Sequence, residues 1–252
     1  MPAPTAPSLP GFFQLQSFDS LASSNDEAKR QAAEGAPEGT LIVCRRQSAG
    51  RGRRGRRWES PPGNLYASLL LRPGRLPPEA AQLAFVAAVA LTEALGRWLA
   101  PERTRLKWPN DVLVDGAKVA GILAESASGA GGPVDWLVLG IGVNIESHPT
   151  GPGYDATSLH ALGKAVSAAE VLAALAPALE SWYRRWCREG FAPVRGAWLA
   201  QAHGLGAQVS ARAAAGVVEG IVECLDRDGA LIVRRADGGQ ARIEAGEVLF
   251  VS

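Results

Sequence analysis

Gln47-Ser48-Ala49-Gly50-Arg51-Gly52-Arg53-Arg54-Gly55-Arg56-Arg57-Trp58 follows directly on Thr40 to Arg46, an apolar run that reads as a strand. Gly50, Gly52 and Gly55 formally satisfy the G-x-G-x-x-G pattern of a dinucleotide-binding turn. That pattern must open a helix, whereas Glu59-Ser60-Pro61-Pro62-Gly63 ends any helix almost at once. No Gly-Lys-Ser/Thr follows, so a P-loop fails as well. What remains is a glycine loop carrying five guanidinium groups, at Arg51, Arg53, Arg54, Arg56 and Arg57. These should repel one another until an anion arrives, and the loop should then order over a phosphate. A solvated basic turn is the plain alternative. Nucleic-acid stacking is not specifically supported, because little regular aromatic interleaving accompanies the arginines.

Two further stretches carry polar chemistry. Lys107-Trp108-Pro109-Asn110-Asp111 precedes a hairpin whose turn is Asp115-Gly116, and the return strand starts with Lys118 and passes through Gly121. The hairpin folds Lys118 back beside Asn110 and Asp111, so an amine, an amide and a carboxylate can share one end of a sheet. On the plain alternative Lys107 and Lys118 are exposed strand residues and Asn110-Asp111 is a turn. Gly121 would let a ligand or backbone approach closely. Gly140-Ile141-Gly142-Val143-Asn144-Ile145 is a buried strand with one amide, for which satisfaction by backbone is the ordinary explanation.

Around these stretches the periodicity predicts a helix from Ser23-Ser24-Asn25-Asp26-Glu27 to about Glu34. Strands are expected at Asn64 to Leu71, Arg105 to Lys107, Val112 to Val114, Val119 to Glu125 and Trp136 to Ile145. A long helix should begin at Pro77-Pro78-Glu79 and lay an apolar face on a sheet, and helical patterns return from Ser167 to Cys187 and from Ala192 to Ala202. From Gly204 onward the texture changes to short β-rich runs punctuated by Asp228-Gly229 and Asp237-Gly238-Gly239. These describe a small barrel of roughly 45 residues, near the lower limit for independent stability, which should lean on the main domain. The expected organisation is a flexible tail over 1–15, a catalytic domain over 16–203 and a barrel domain over 204–252.

The 252 residues, 47% hydrophobic, suffice for such a core. With 26 basic against 25 acidic residues the chain is no polycation, so any positive field is local. Lysine occurs only at Lys29, Lys107, Lys118 and Lys164, a weak hint that an amine here serves chemistry. Cys44, Cys187 and Cys224 are too scattered for a disulfide framework or a structural zinc site and fit a reducing cytoplasm. The first ten residues lack the pattern of a secretory signal, and Leu83 to Ala100 reads as a buried amphipathic helix, so no membrane partner is expected.

Taken together, Ser23-Ser24-Asn25, the Gln47 to Trp58 loop, Gly63-Asn64-Leu65-Tyr66, Lys107 to Asp111, Lys118 to Leu123 and Gly140 to Asn144 resemble, in order and spacing, the motifs of biotin protein ligases. The resemblance covers nearly the whole chain after the tail. It implies an α+β fold: a mixed, largely antiparallel sheet with helices packed on it, like class II aminoacyl-tRNA synthetases, plus a C-terminal Src-homology-3-like barrel. It also implies the reaction. Biotin and ATP give biotinyl-5′-AMP and pyrophosphate, and the biotinyl group passes to a lysine of a biotin carboxyl carrier protein.

By the same resemblance, Ser23, Ser24, Asn25 and Gln47 belong to the biotin site, with Gly50, Arg51, Gly52 and Arg53 passing over the carboxylate. Lys118, Arg51 and Arg53 would oppose the charge gathered where carboxylate meets α-phosphate. Asn110 and Asn144 would contact the nucleotide or its metal, Trp58 would pack on the adenine side, and Gly121 would lie close to ligand. Asp111 would orient or deprotonate the acceptor lysine. Magnesium would be held through the ATP phosphates with no protein metal ligands. Ser-Ser-Asn stands where many relatives have Ser-Thr-Asn, which keeps a hydroxyl and loses a methyl. Fewer than about 25 residues precede Ser23, against about 50 for a folded domain, so no operator-binding domain and no DNA partner are expected, while a homodimer is compatible. The competing readings are a lipoate or octanoate ligase or transferase of the same fold, and a nucleic-acid binder using the arginine loop.

Overall fold

The computed structural model describes residues 8–129, 131–151, 155–213 and 216–250. A seven-stranded sheet has the order β1-β2-β3-β7-β6-β5-β4, from β1 (Gln14–Phe18), β2 (Thr40–Cys44), β3 (Leu65–Leu71), β4 (Thr104–Lys107), β5 (Asp111–Val114), β6 (Ala117–Ser128) and β7 (Val134–Val143). Every pairing is antiparallel except β1 with β2, which are joined through helix α1 (Ser24–Ala33). This is the expected mixed, largely antiparallel sheet.

Strand alternation assigns the two faces. Ile42, Leu70 and Val138 point to one side and bury Ala28 and Ala32 of α1. Leu41, Leu69, Leu71, Leu137 and Leu139 point to the other, toward α3 (Leu83–Leu95), α4 (Ala168–Glu189) and α5 (Ala192–Ala200). The sequence led us to expect one long helix from Pro77. Two are found, α2 (Pro77–Ala80) and α3, with Gln82 at the junction accepting a hydrogen bond from the Trp186 indole at 2.9 Å. The expected single sheet-facing stripe is also wider in fact: α3 is buried at every position except Ala84 and Glu93, because α4 covers what the sheet does not. The stretch Pro77–Leu95 is long and apolar enough to cross a membrane, but 72% of it is buried inside the protein.

The expected tail over 1–15 overlaps structure. Phe13 is buried and Gln14 already belongs to β1, an edge strand that the sequence conceals because its pattern is polar on both faces. Residues 1–7 of that tail lie outside the described residues.

The C-terminal strands β8 (Gln208–Ala213), β9 (Gly216–Leu225), β10 (Leu231–Arg234), β11 (Gln240–Ile243) and β12 (Gly246–Phe250) form an antiparallel sheet of order β11-β10-β9-β8-β12. Its inward residues, among them Val209, Val222, Leu225 and Val233, share one apolar cluster with Phe85, Trp108, Phe191 and Trp198 of the main domain. The buried Trp108 indole donates to the Gly229 carbonyl at 3.1 Å, and the Arg195 guanidinium donates to the Leu225 carbonyl at 2.6 Å. The barrel does lean on the main domain, and its strand β12 borders the cleft between them.

Candidate active site

The first turn of α1, the loop after β2, the ends of β3 and β5, the middle of β6 and β7, and the start of β12 enclose a cleft of about 670 Å³, a size suited to a small-molecule ligand. Every site residue expected from the sequence lines it except Gly50, which is packed behind the loop.

One wall is polar and buried. Ser23 caps α1, its hydroxyl accepting from the Asp26 amide, so that helix begins at the cleft. The Ser24 amide and hydroxyl both donate to the Gln47 side-chain oxygen, at 2.8 and 3.1 Å, while the Gln47 nitrogen donates to the Ser60 hydroxyl at 2.9 Å. Ser68, wholly buried on β3, bonds the Ser24 hydroxyl at 2.8 Å and the Asn25 oxygen at 2.6 Å. The Asn25 nitrogen reaches Glu125 of β6 at 2.8 Å. Such a wall fixes each amide and hydroxyl in one orientation before ligand arrives.

The floor is bare backbone. Gly121 of β6 and Gly142 of β7 are register partners, and the Trp58 indole lies over both. A Cβ at Gly142 would stand 2.8 Å from the indole and one at Gly121 would stand 3.1 Å from it. The buried Trp58 N–H finds no acceptor among the described residues. An unsatisfied donor on a glycine floor marks a place where a flat ligand bearing acceptors fits. Gly140 is small for a different reason: a Cβ there would sit 2.2 Å from the Asn25 oxygen.

Opposite the polar wall, the Asp115-Gly116 turn adopts left-handed φ values of 49° and 86° and brings Lys118 Nζ to 2.5 Å from the Asp111 carboxylate, as the hairpin reading expects. The ammonium also lies 5.4 Å from the Trp58 ring centroid. Asn110 donates to the Ile122 carbonyl at 2.6 Å and accepts from Arg53 at 3.3 Å. Burial, aided by Arg54, pulls the Arg53 guanidinium below its ordinary pKa, a desolvated cation that an anion would relieve. Asn144 donates to the Thr157 carbonyl at 3.1 Å and holds the chain after β7 against Lys118.

The arginine loop departs from expectation. Part of its charge is already met within the protein: Arg51 pairs with Asp26, Arg56 with Glu247, and Arg54 donates to the Arg212 carbonyl at 3.4 Å, while Arg53 still feels the repulsion of Arg54 and Arg56. The Gly52 amide donates to the Arg56 carbonyl at 2.7 Å, closing a tight turn with Arg54 at φ 57°. Sequence reasoning missed the carboxylates Asp26, Glu125 and Glu247 as loop partners, and nothing local signals them. Ser68, a lone hydroxyl within Leu65-Tyr66-Ala67-Ser68-Leu69-Leu70-Leu71, does carry a signal.

Comparison with known proteins agrees with this geometry. A model described as the Biotin/lipoate A/B protein ligase family matches residues 18–144, and one described as the Biotin protein ligase C terminal domain matches residues 204–251. The chain is 45% identical over 235 residues to a biotin--[acetyl-CoA-carboxylase] ligase of Paracoccus denitrificans, covering 90% of this chain and 97% of that relative. It is 35% identical over 226 residues to a bifunctional ligase/repressor of Bacillus subtilis, covering 87% of this chain and 69% of that one. Among solved structures, a biotin protein ligase from Aquifex aeolicus in complex with biotin and ATP matches with a TM-score of 0.80 at 28% identity, covering 94% and 98% of the two chains.

Proposed function

The chain belongs to the Biotin/lipoate A/B protein ligase family, and from that premise we propose how its cleft carries out the ligation of biotin to protein. The substrates are biotin and ATP, the activity is that of a biotin--[acetyl-CoA-carboxylase] ligase, and the chemistry is ATP-driven activation of biotin followed by its transfer. The observation that carries the site assignment is the Lys118 ammonium, gripped by Asp111 at 2.5 Å above the Gly121–Gly142 floor.

In this reading the polar wall of Ser23, Ser24, Asn25 and Gln47 receives the ureido ring, whose donors and acceptors match a fixed amide and hydroxyls. The acyl chain then runs past Trp58, whose indole covers the Gly121–Gly142 floor, and brings the biotin carboxylate toward Lys118. Two anions, that carboxylate and the α-phosphate, must meet for the acyl–adenylate bond to form and pyrophosphate to leave. Lys118, with Arg51 and Arg53 swung in from the loop, offsets their repulsion, most strongly where charge is most concentrated. Asn110 and Asn144 border the nucleotide end. A magnesium ion bound with ATP would supply further charge neutralisation on the triphosphate, held chiefly through phosphate oxygens, with Asn110 and Asn144 the side chains that would border it.

The second step attaches the biotinyl group to a lysine amine of a biotin carboxyl carrier protein, releasing AMP. Asp111 is the carboxylate nearest Lys118 and is 23% exposed at its side chain, so it can accept a proton from or orient an amine arriving at the cleft mouth. The three free thiols support a reducing, cytoplasmic setting for this reaction.

Single-turnover assays on Asp111→Asn test the assignment. The expected result is accumulation of biotinyl-adenylate and transfer to carrier slowed about 10- to 100-fold, the usual range for a lost general base being at least that large. Equal slowing of both steps would reduce Asp111 to a support for Lys118, and unchanged transfer would remove it from the mechanism.

A further inference from the structure

Arg51 is the loop cation with the most elaborate seat. Its Nη2 meets the Asp26 carboxylate on the first turn of α1 and lies 3.6 Å from Glu125 on β6. The same two carboxylates are held by Lys29, at 2.8 Å from Asp26 and 2.9 Å from Glu125. Hydrogen bonds to both carboxylates raise the Lys29 pKa even though burial opposes this more than any other single influence. Two anions and two cations therefore balance, and the two cations differ in kind. Lys29 sits on α1 beside its partners, whereas Arg51 reaches in from a glycine-rich loop over the cleft. If Arg51 leaves, Lys29 still contacts both carboxylates, so neither is left without a partner although one net negative charge remains.

We propose that Asp26, with Glu125 behind it, is the resting seat of Arg51 and competes with the substrate phosphate for that guanidinium, making Asp26 a positioning residue that sets how readily the loop closes on ATP. This rests on the assignment of the cleft to biotin and ATP. The seat is connected to the polar wall as well, since Glu125 also accepts from Asn25, which bonds Ser68 and through it Ser24. A side chain exchanging a carboxylate for a phosphate keeps its charge-assisted hydrogen bonds throughout, so closure costs little.

The test is Asp26→Asn, which keeps size and the first helical turn. In substrate-free protein, trypsin cleavage after Arg51 to Arg57 should accelerate two- to five-fold relative to cleavage elsewhere, the size of effect typical of a part-exposed ion pair. Raising ionic strength should move the wild type toward the variant and leave the variant nearly unchanged. With ATP, KM should fall by a similar factor while kcat at saturation stays the same, the split expected when a competitor is removed, not when a support is lost. Unchanged loop cleavage, or a raised KM, would overturn the seat. The cleavage arm uses no substrate, so its failure is separable from a failure of the biotin assignment, which would show as absent adenylation in the wild type.

Discussion

Lys118→Ala should slow biotinyl-adenylate formation by two orders of magnitude or more, while biotin affinity changes only a few-fold. The ammonium is 31% exposed at its side chain and lies between Asp111 and the Trp58 ring, so ligand filling the cleft would strip most of its remaining water. A cation in that setting acts on the developing bond between two anions far more than on either anion in the ground state. Removal of one such preorganised group typically costs about 3 kcal/mol in the transition state. Lys118→Arg should restore little, because a planar fork cannot take the place of a compact ammonium gripped at 2.5 Å. Biotin titration and single-turnover adenylation separate the two quantities. A wild-type adenylation rate in the alanine variant would refute the role.

The second large effect concerns folding. Ending the chain after His203 should abolish the cooperative thermal transition, not merely impair activity. Trp108 is 4% exposed and its N–H donates to the Gly229 carbonyl of the barrel. Phe85 packs so closely on Gly229 that a Cβ there would stand 2.8 Å from its ring, and Phe191 and Trp198 belong to the same cluster. Uncovering each large apolar side chain costs about 1.5–3 kcal/mol. A handful of such losses matches the whole stability of an ordinary domain. Scanning calorimetry of residues 1–203 decides this. A cooperative transition close to that of the full chain would show that the barrel is an appendage.

Much of this was legible in the sequence wherever a local rule operated. Apolar runs bounded by turn residues marked β2, β3, β6 and β7, and the Asp115-Gly116 pair placed the hairpin that folds Lys118 back toward Asp111, although a β-bulge between Val112 and Leu113 shifts the register beyond the turn. The close approach at Gly121 was likewise legible, whereas its pairing with Gly142 into one floor under Trp58 emerges only from the sheet register. The strand β1 was not legible because an edge strand with both faces partly wet has no alternation. Nor was the true state of the arginine loop. Its counter-anions Asp26 and Glu247 lie 25 and 191 residues away in the chain, and only the packing of α1 and β12 around the cleft brings them in. The split between α2 and α3 was hidden because Ala81 and Gln82 are themselves good helix formers, and the Trp186 contact at Gln82 is tertiary.

The central claim, that this cleft activates biotin with ATP, is tested most directly by isotope exchange between ATP and pyrophosphate in the purified protein. Exchange measures formation and reversal of the acyl-adenylate alone and needs no carrier. With biotin present, exchange should be rapid, and without an acid or with lipoate or octanoate in its place it should fall to background, because the fixed Ser24–Gln47–Asn25 wall presents a ureido ring with partners that those acids cannot use. Exchange dependent on lipoate or octanoate and not on biotin would contradict the account.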